Sequence, residues 1–229
     1  MYDPPVHTHK TVLMQRLLDA AIRGYVWHTS GHVPITRAAH LADKFADLYH
    51  VDRNANQRAY AKRKGNANSR LFFLPRPEHD DLLWWLLVTN GNGLAHERER
   101  LHAITDRRHR LRIGDDYELV RVTRKSEHGG GLVWTWRMTR ECLEAWRTRI
   151  LQACRSGSSG FLQEAMHSLY RTPGFSGIRR QVGTLVTLTC HEWRRRHGTD
   201  APGSHCRLGY LERLEDRILP LSAWCASRG

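Results

Sequence analysis

The chain has 229 residues, and its 36 lysines and arginines outnumber 23 aspartates and glutamates, which gives a formal net charge of +13 and a pI near 10.1. A positive field of this size favours a polyanionic partner, with nucleic acid ahead of an anionic membrane surface. No apolar run approaches the ~20 residues of a membrane span. The five cysteines are scattered without a CxxC pair, and MYDPPVHTHK at the amino terminus has no apolar signal region. We therefore expect a cytoplasmic protein with free thiols, no membrane association, no metal site and no cofactor.

Hydrophobic patterning over residues 17–124 predicts six elements in the order strand, helix, strand, strand, helix, strand. They are a strand at about 20–27, a helix capped by Thr36, strands at 70–75 and 82–89, a helix at 96–104 and a strand at 117–124. The stretch HTSGHVP, residues 28–34, is expected to be a loop. This βαββαβ order is typical of the ferredoxin-like arrangement. The predicted fold class is therefore α+β, with a ferredoxin-like amino-terminal part.

The carboxy-terminal half has a different pattern. Residues 117–124 and 132–139 alternate on either side of HGGG, which predicts a β-hairpin. Three helices are expected after it, and they run from a Thr139 cap to about Ala153, over 161–170, and over 178–196. The tail from 198 is irregular, with a short strand expected at 208–211. These patterns predict a ferredoxin-like RNA-binding domain over 1–138 and a helical region over 139–229 that contains a glycine-rich loop.

Basic residues cluster in segments that lack the mixed signs of an ordinary solvated surface. The segment 53–76 contains no acidic residue. We expect phosphate contacts from the following side chains: Arg53, Arg58, Lys62, Arg63, Lys64 and Arg70 in that segment, Arg107, Arg108 and Arg110 in a second run, and Arg179, Arg180, Arg194 and Arg195 on the long helix. For the pair at 194–195 there is an alternative, because cations at a helix C-terminus also suit the macrodipole.

The sequence contains fewer markers of catalysis than of phosphate binding. No nucleophile elbow, HExxH, phosphate loop or paired-carboxylate cluster is present. Cleavage of RNA without metal needs only a base for the 2′-hydroxyl, cations for the phosphorane and an acid for the leaving oxygen. Arg23, His28, Arg37 and His40 could supply these groups, because all four belong to the first predicted strand, to the loop that follows it or to the start of the first predicted helix. The alternative for these four residues is ordinary polar contact in a loop.

Four segments together resemble the RAMP superfamily of CRISPR-associated proteins, and within it the small repeat-processing endoribonucleases of type IV CRISPR systems. They are IRGYVWH (22–28), TRAAHLADKF (36–45), the basic stretch 58–64 and RTPGFSGIRRQVG (171–183). The resemblance implies an enzyme that cuts repeat RNA beside a hairpin without metal. It also implies that the enzyme stays on the 3′ stem-loop, together with other subunits of a CRISPR effector complex. A base on the first helix or in the loop before it is common in that family, which favours His28, His32 and His40.

Two other functions remain open from the sequence. One is a non-catalytic nucleic-acid-binding protein of a plasmid or mobile element, which the charge would serve equally well. The other is a small-molecule enzyme on the same fold, which the charge disfavours.

Overall fold

The chain forms two compact units in a computed structural model that describes residues 2–76, 78–124, 126–203 and 207–227. Unit 1 comprises Met1–Leu111 and Arg213–Gly229, and unit 2 comprises Arg112–Glu212. The division thus falls after Leu111, whereas the sequence prediction places it after residue 138. It differs because the hairpin at 117–138 forms a sheet of its own, separate from the amino-terminal sheet.

The elements, numbered in chain order, are mixed α and β as expected. The strands are β1 (Pro5–His7), β2 (Tyr25–Pro34), β3 (Ser69–Pro75), β4 (Asp81–Thr89), β5 (His102–Ala103), β6 (Arg112–Ile113), β7 (Tyr117–Thr123), β8 (Leu132–Met138) and β9 (Ile218–Pro220). The helices are α1 (Lys10–Ile22), α2 (Ile35–Tyr49), α3 (Ala55–Arg63), α4 (Leu94–Arg98), α5 (Arg140–Ser156), α6 (Ser159–Tyr170), α7 (Ser176–His197) and α8 (Leu221–Ala226). The α+β class is therefore confirmed. No helix in the described ranges has the length and apolar character that crossing a membrane requires.

The sheet of unit 1 has six strands in the order β5-β2-β4-β3-β1-β9. All neighbouring strands are antiparallel except β1 and β3, which are parallel. The carboxy-terminal strand β9 forms one edge by pairing with β1, so that Pro5 lies opposite Pro220. Strand β9, which follows unit 2 in the sequence, thus extends the sheet beside β1.

Three sequence predictions about this sheet are wrong. The first long strand begins at Tyr25 rather than near residue 20, because residues 10–22 form helix α1 with a continuous buried side. Residues 28–34, predicted as a loop, belong to β2 and pair with β4 along their whole length. The helix predicted at 96–104 ends at Arg98, and residues 102–103 form the short edge strand β5 instead.

Side chains alternate between the two faces of the sheet, and both faces are buried. Leu71, Phe73 and Leu86 belong to a hydrophobic core that also contains Phe45 of α2. The intervening residues, of which Phe72 and Leu87 are examples, are buried on the opposite face, where α1 contacts β2 and β3. Because helices cover both faces of this sheet, we do not expect a ligand to bind unit 1 on an open sheet surface.

Helix boundaries in unit 1 follow local chemistry. Helix α2 begins at Ile35, one residue before the predicted cap Thr36, and no side chain caps it. Helix α3 has a capping box, in which the Asn54 side chain accepts from the backbone N–H of Gln57 and the Gln57 side chain accepts from that of Asn54. The last residue of this basic helix is Arg63.

Unit 2 contains the three-stranded antiparallel sheet β6-β7-β8 and helices α5, α6 and α7. The predicted hairpin and the three predicted helices are confirmed, and the side chain of Thr139 caps α5 by accepting from the N–H of Cys142 at 3.2 Å. The strand predicted at 208–211 does not form. There the carbonyl of Leu208 accepts from Nε of Arg179 at 2.9 Å and the N–H of Leu211 donates to Gly174, so these backbone groups are satisfied outside a ladder.

Two glycines of the predicted glycine-rich loop make close backbone contacts. A Cβ at Gly177 would overlap the carbonyl oxygen of Trp136 in β8, and one at Gly174 would overlap the carbonyl oxygen of Gly209. The N–H of Gly177 also donates to the hydroxyl of Thr135 at 3.0 Å. These contacts give both glycines a packing role at the start of α7.

Candidate nucleic-acid interface

Histidines meet in unit 1 where β2 pairs with the edge strand β5. His28 on β2 lies opposite His102 on β5, and their ring centroids are 6.3 Å apart. The His28 ring is only 5% exposed, and its Nε2 lies 2.9 Å from the carbonyl oxygen of His109, so Nε2 carries the proton and donates it. Burial lowers the pKa of His28 to about 4, and the ring is neutral near pH 7. His28 therefore holds the loop that follows β5.

That loop brings a second histidine and a carboxylate next to His102. The rings of His102 and His109 stack with centroids 4.0 Å apart and planes inclined by 17°. Nδ1 of His109 lies 3.0 Å from Oδ2 of Asp106, and the other oxygen of Asp106 accepts from the N–H of Arg108 at 2.9 Å. We name His102, Asp106 and His109 the histidine cluster. It is partly exposed, and three of the predicted phosphate-binding residues, Arg107, Arg108 and Arg110, lie within the same loop.

Within the histidine cluster, the pKa values of Asp106 and His102 are both lowered, but by different causes. The hydrogen bond from His109 lowers the pKa of Asp106, so the carboxylate stays ionised and orients that ring. Desolvation, followed by the charges of His109 and Arg100, lowers the pKa of His102. At neutral pH His102 therefore offers a free lone pair, as a general base must.

The histidine cluster has the donor set of a metal site, which the sequence analysis does not expect. One ligand atom from each residue lies within 4.8 Å of the other two. Nδ1 of His109 is already engaged by Oδ2 of Asp106, however, which leaves that pair less available to a metal ion. The arginines around the cluster also repel a divalent cation. The geometry thus suits proton transfer better than coordination.

Of the four predicted catalytic residues, the structure brings only His28 to this cluster. Arg37 and His40 are exposed on α2, whose opposite side, including Ala38 and Ala42, packs on the sheet. Arg23 is exposed just after the last residue of α1. The predicted convergence assumed a strand at 20–27 followed by a loop. In the structure Arg23 follows helix α1 and residues 28–34 continue strand β2, which separates these positions.

Helix α3 and the strand after it carry the basic segment predicted to bind phosphate. Lys62, Arg63 and Lys64 are exposed, and Arg63 and Lys64 lie over the ring of Tyr60 at 5.9 and 5.8 Å from its centroid. That ring is 57% exposed, which places an aromatic face among cations. Arg53 is half-buried, and its Nη1 donates to the carbonyl of Ala67 at 3.3 Å. The charges of Lys62, Arg63 and Lys64 are thus exposed to solvent, whereas Arg53 is partly buried.

Arg58 and Arg70 differ from that exposed group because both are half-buried. Arg70 on β3 lies over the ring of Phe72 at 5.0 Å. Burial is the main cause that lowers its pKa, and the neighbouring guanidiniums of Arg58 and Arg23 lower it further. Arg23, placed in the sequence analysis among the catalytic residues, therefore belongs electrostatically with this arginine pair.

The arginines on α7 have partners within unit 2. Arg194 forms an ion pair with Asp200, and Nη2 of Arg195 donates to Glu192 at 2.7 Å. Arg179 donates to the Leu208 carbonyl and lies 3.4 Å from the ring centroid of Tyr210, while Arg180 is exposed. The ion pairs reduce the charge that residues 194 and 195 can offer to a phosphate.

Sequence reasoning missed His102, Asp106 and His109 as a group. The available signal was their spacing, HAITDRRH, in which a histidine, an aspartate and a second histidine adjoin a basic run. It also missed His7 and Arg16, which lie on β1 and α1, elements that the pattern did not predict.

A comparison of the chain with protein-family models, with curated proteins and with solved structures finds no match.

Proposed function

We propose that the protein is an RNA-binding, metal-independent endoribonuclease whose reaction takes place at the histidine cluster. The observation that carries this proposal is the stacked His102–His109 pair, held by Asp106 and set among Arg107, Arg108 and Arg110. A neutral imidazole, an oriented imidazole and several guanidiniums are the groups that cleavage through the 2′-hydroxyl requires.

In the proposed reaction, His102 takes the proton of the 2′-hydroxyl, and the oxygen attacks the adjacent phosphorus. The bond from phosphorus to the 5′-oxygen breaks, and His109 in its protonated form gives a proton to that oxygen. The products are a 2′,3′-cyclic phosphate and a 5′-hydroxyl. Because the rings are stacked, they cannot lie on opposite sides of the phosphorus. In the in-line displacement the attacking and leaving oxygens are the two apical oxygens of the phosphorane, and rings whose centroids are 4.0 Å apart can each meet one of them.

The topology of unit 1 supports the proposal that its central part is ferredoxin-like. The segment β2-α2-β3-β4-α4-β5, with α3 inserted after α2, keeps the βαββαβ order, and its strands lie in the order β5-β2-β4-β3. All neighbours within this set are antiparallel. In this proposal β5 is the last strand of the βαββαβ order, the position for which the sequence pattern predicts residues 117–124.

The substrate that we put forward is the repeat RNA of a CRISPR array, cut beside its hairpin to give mature guide RNA. The exposed basic side of α3 would hold the stem-loop after the cut, and other effector subunits would assemble on the retained RNA. The sequence resemblance and the exposed cations of α3 support this part of the proposal.

The test is incubation of the purified protein with a repeat hairpin in excess EDTA. We expect one cut that leaves a 2′,3′-cyclic phosphate, identified by mass spectrometry of the 5′ fragment. A cut that appears only after addition of Mn²⁺ or Zn²⁺ would contradict the metal-independent reaction and make the histidine cluster a metal centre. Salt-sensitive binding without any cut would leave the second function, a non-catalytic nucleic-acid-binding protein, which the exposed cations around Tyr60 favour.

A further inference from the structure

A second cationic feature of unit 1 is a cavity of about 190 Å³ that lies away from the loop of the histidine cluster. Its basic lining comes from four elements. His7 lies on β1, Arg16 on α1, Arg58 on α3 and Arg70 on β3. Tyr2 and Phe72 supply aromatic walls, and Asp216 is the acidic residue among its lining side chains.

The positive charge of this cavity is only partly compensated. Arg16 is paired with Asp216 and also with Asp19, whose Oδ2 lies 3.7 Å from Nη1 of Arg16, and its Nη2 donates to the carbonyl of Leu214 at 2.7 Å. In the described part of the chain, no ion pair joins Arg58 or Arg70 to a carboxylate. Two half-buried guanidiniums thus line the cavity without an ion-pair partner.

Hydrogen bonding around the cavity is also incomplete. Three of its lining residues carry a buried nitrogen without a hydrogen-bond partner, namely Nδ1 of His7, Nη1 of Arg16 and Nε of Arg58. Arg16 is 9% exposed and His7 is 4% exposed, so water replaces few of these bonds. Buried polar groups of this kind are normally satisfied. The two arginine nitrogens can only donate, so they indicate a missing partner that accepts hydrogen bonds.

We propose that this cavity binds the dianion of a phosphate monoester, as the terminal phosphate of a nucleic acid or as the phosphate of a mononucleotide. Two uncompensated guanidiniums match a charge near −2, which a terminal phosphate carries and an internal phosphodiester does not. Planar guanidiniums recognise phosphate oxygens through paired hydrogen bonds. Burial and mutual repulsion, which lower the pKa of Arg70, are relieved when an anion enters between the arginines.

This site is separate from the proposed RNA cleavage, which produces a cyclic phosphate and a 5′-hydroxyl rather than a monoester. The two proposals depend on different side chains and different measurements. Loss of cleavage therefore leaves the phosphate site standing, and absence of phosphate binding leaves the cleavage proposal standing.

The first experiment measures thermal unfolding of the full chain in sodium phosphate and in sodium chloride at matched ionic strength and pH. We expect phosphate to raise the Tm of the unmodified protein above the chloride value. The increment should be lost in Arg58→Ala and Arg70→Ala, and retained in Arg140→Ala, which removes an exposed arginine of unit 2. Arg70→Lys keeps the charge without the paired donors and should retain only part of the increment.

Calorimetric titration identifies the source of the phosphate. We expect a hexanucleotide with a terminal phosphate at its 5′ or 3′ end, or AMP, to bind at least ~10-fold more tightly than the same hexanucleotide with hydroxyl ends. Preference for the oligonucleotide assigns a nucleic-acid end, and equal binding of AMP assigns a mononucleotide. Equal affinity for phosphorylated and hydroxyl ends, or a phosphate increment that survives in both Arg58→Ala and Arg70→Ala, would overturn the inference.

Discussion

The imidazole rings of His102 and His109 lie face to face, 4.0 Å apart, although they belong to an edge strand and to the loop that follows it. Asp106 fixes one ring by a 3.0 Å hydrogen bond, and the carbonyl of His109 is fixed by buried His28. The pair is therefore built by four residues from two strands and one loop, and each can be tested by itself.

Replacement of His102 by alanine should slow RNA cleavage by about 10²–10⁴-fold, because the proposed base is lost. The dissociation constant of the RNA should change by no more than about twofold, since a neutral imidazole contributes little to phosphate binding. Single-turnover cleavage and filter binding measure the two effects. His167→Gln, an exposed substitution on α6, is the matched control. A rate unchanged in His102→Ala would remove this residue from the reaction.

Acid should destabilise unit 1 through His28. Burial holds its pKa at about 4 in the folded state, below the ordinary 6.5, so the folded state binds fewer protons than the unfolded state. The stabilisation is complete above about pH 6.5 and is lost as the pH falls from there to about 4. Between pH 7 and pH 5, we expect His28 to account for about 2 kcal/mol of the loss in unfolding free energy.

Urea unfolding at pH 7 and pH 5 tests this assignment in His28→Gln, whose amide can still donate to the His109 carbonyl. The variant should lose less stability on acidification than the unmodified protein. His40→Gln, which changes an exposed histidine on α2, should leave the pH dependence as it was. Equal pH dependence in all three proteins would show that His28 titrates normally.

The exposed cations of α3 should contribute more to nucleic-acid binding than those at the end of α7. The double variant Arg63→Ala/Lys64→Ala should reduce the slope of log K against log salt for the stem-loop by about 1.8, since each duplex phosphate contact contributes about 0.9. The matched double variant Arg194→Ala/Arg195→Ala removes arginines already paired with Asp200 and Glu192, and should change the slope less. The reverse order of effects would move the interface to α7.

Two glycines of α7 should respond to alanine in opposite directions. A Cβ at Gly177 would overlap the Trp136 carbonyl, so Gly177→Ala should destabilise unit 2 by about 1–3 kcal/mol. Gly183 lies in the same helix with no atom within 4 Å of a built Cβ, and Gly183→Ala should stabilise the unit by about 1 kcal/mol. Urea denaturation measures both. Similar effects from the two substitutions would show that α7 does not approach β8 as closely as described.

The cap of α5 gives a further stability test. The fully buried Thr139 hydroxyl accepts from the N–H of Cys142 and donates to the carbonyl of Asp115 at 2.6 Å. Thr139→Ala should lower the free energy of unfolding by about 1–2 kcal/mol, and Thr139→Ser should restore most of it. Thr148→Ala, an exposed change on the same helix, should have little effect. A Thr139→Ala protein of unchanged stability would contradict the capping role.

Local signals predicted the elements that local chemistry determines. Thr139 before an amphipathic stretch marked the start of α5, and the alternation on either side of HGGG marked the β7–β8 hairpin. The strand at 28–34 was missed because Gly31 and Pro34 are typical of loops. The glycine at position 31 is explained by a contact with a distant part of the chain, since a Cβ there would lie 2.9 Å from the ring of Trp84 on the paired strand. A single sequence does not state which strand will lie beside which.

Some features of the candidate site could likewise be predicted from the sequence, whereas others depend on long-range contacts. The basic character of 58–64 and 107–110 could be read directly, because charge is a property of composition. The meeting of His28 with His102 depends on the pairing of β2 with β5, and the cavity of Arg16 and Arg70 depends on α1 lying over β3. Both require contacts between residues more than 50 positions apart, which patterning cannot supply.

Unit 2 interrupts the sequence of unit 1, and this has a consequence for folding during synthesis. Strand β9 and Asp216 leave the ribosome only after the whole of unit 2 has been made. Until then β1 lacks its edge partner, and of the two carboxylates that pair with Arg16 only Asp19 is present. Unit 2 can therefore fold while unit 1 still lacks its last strand.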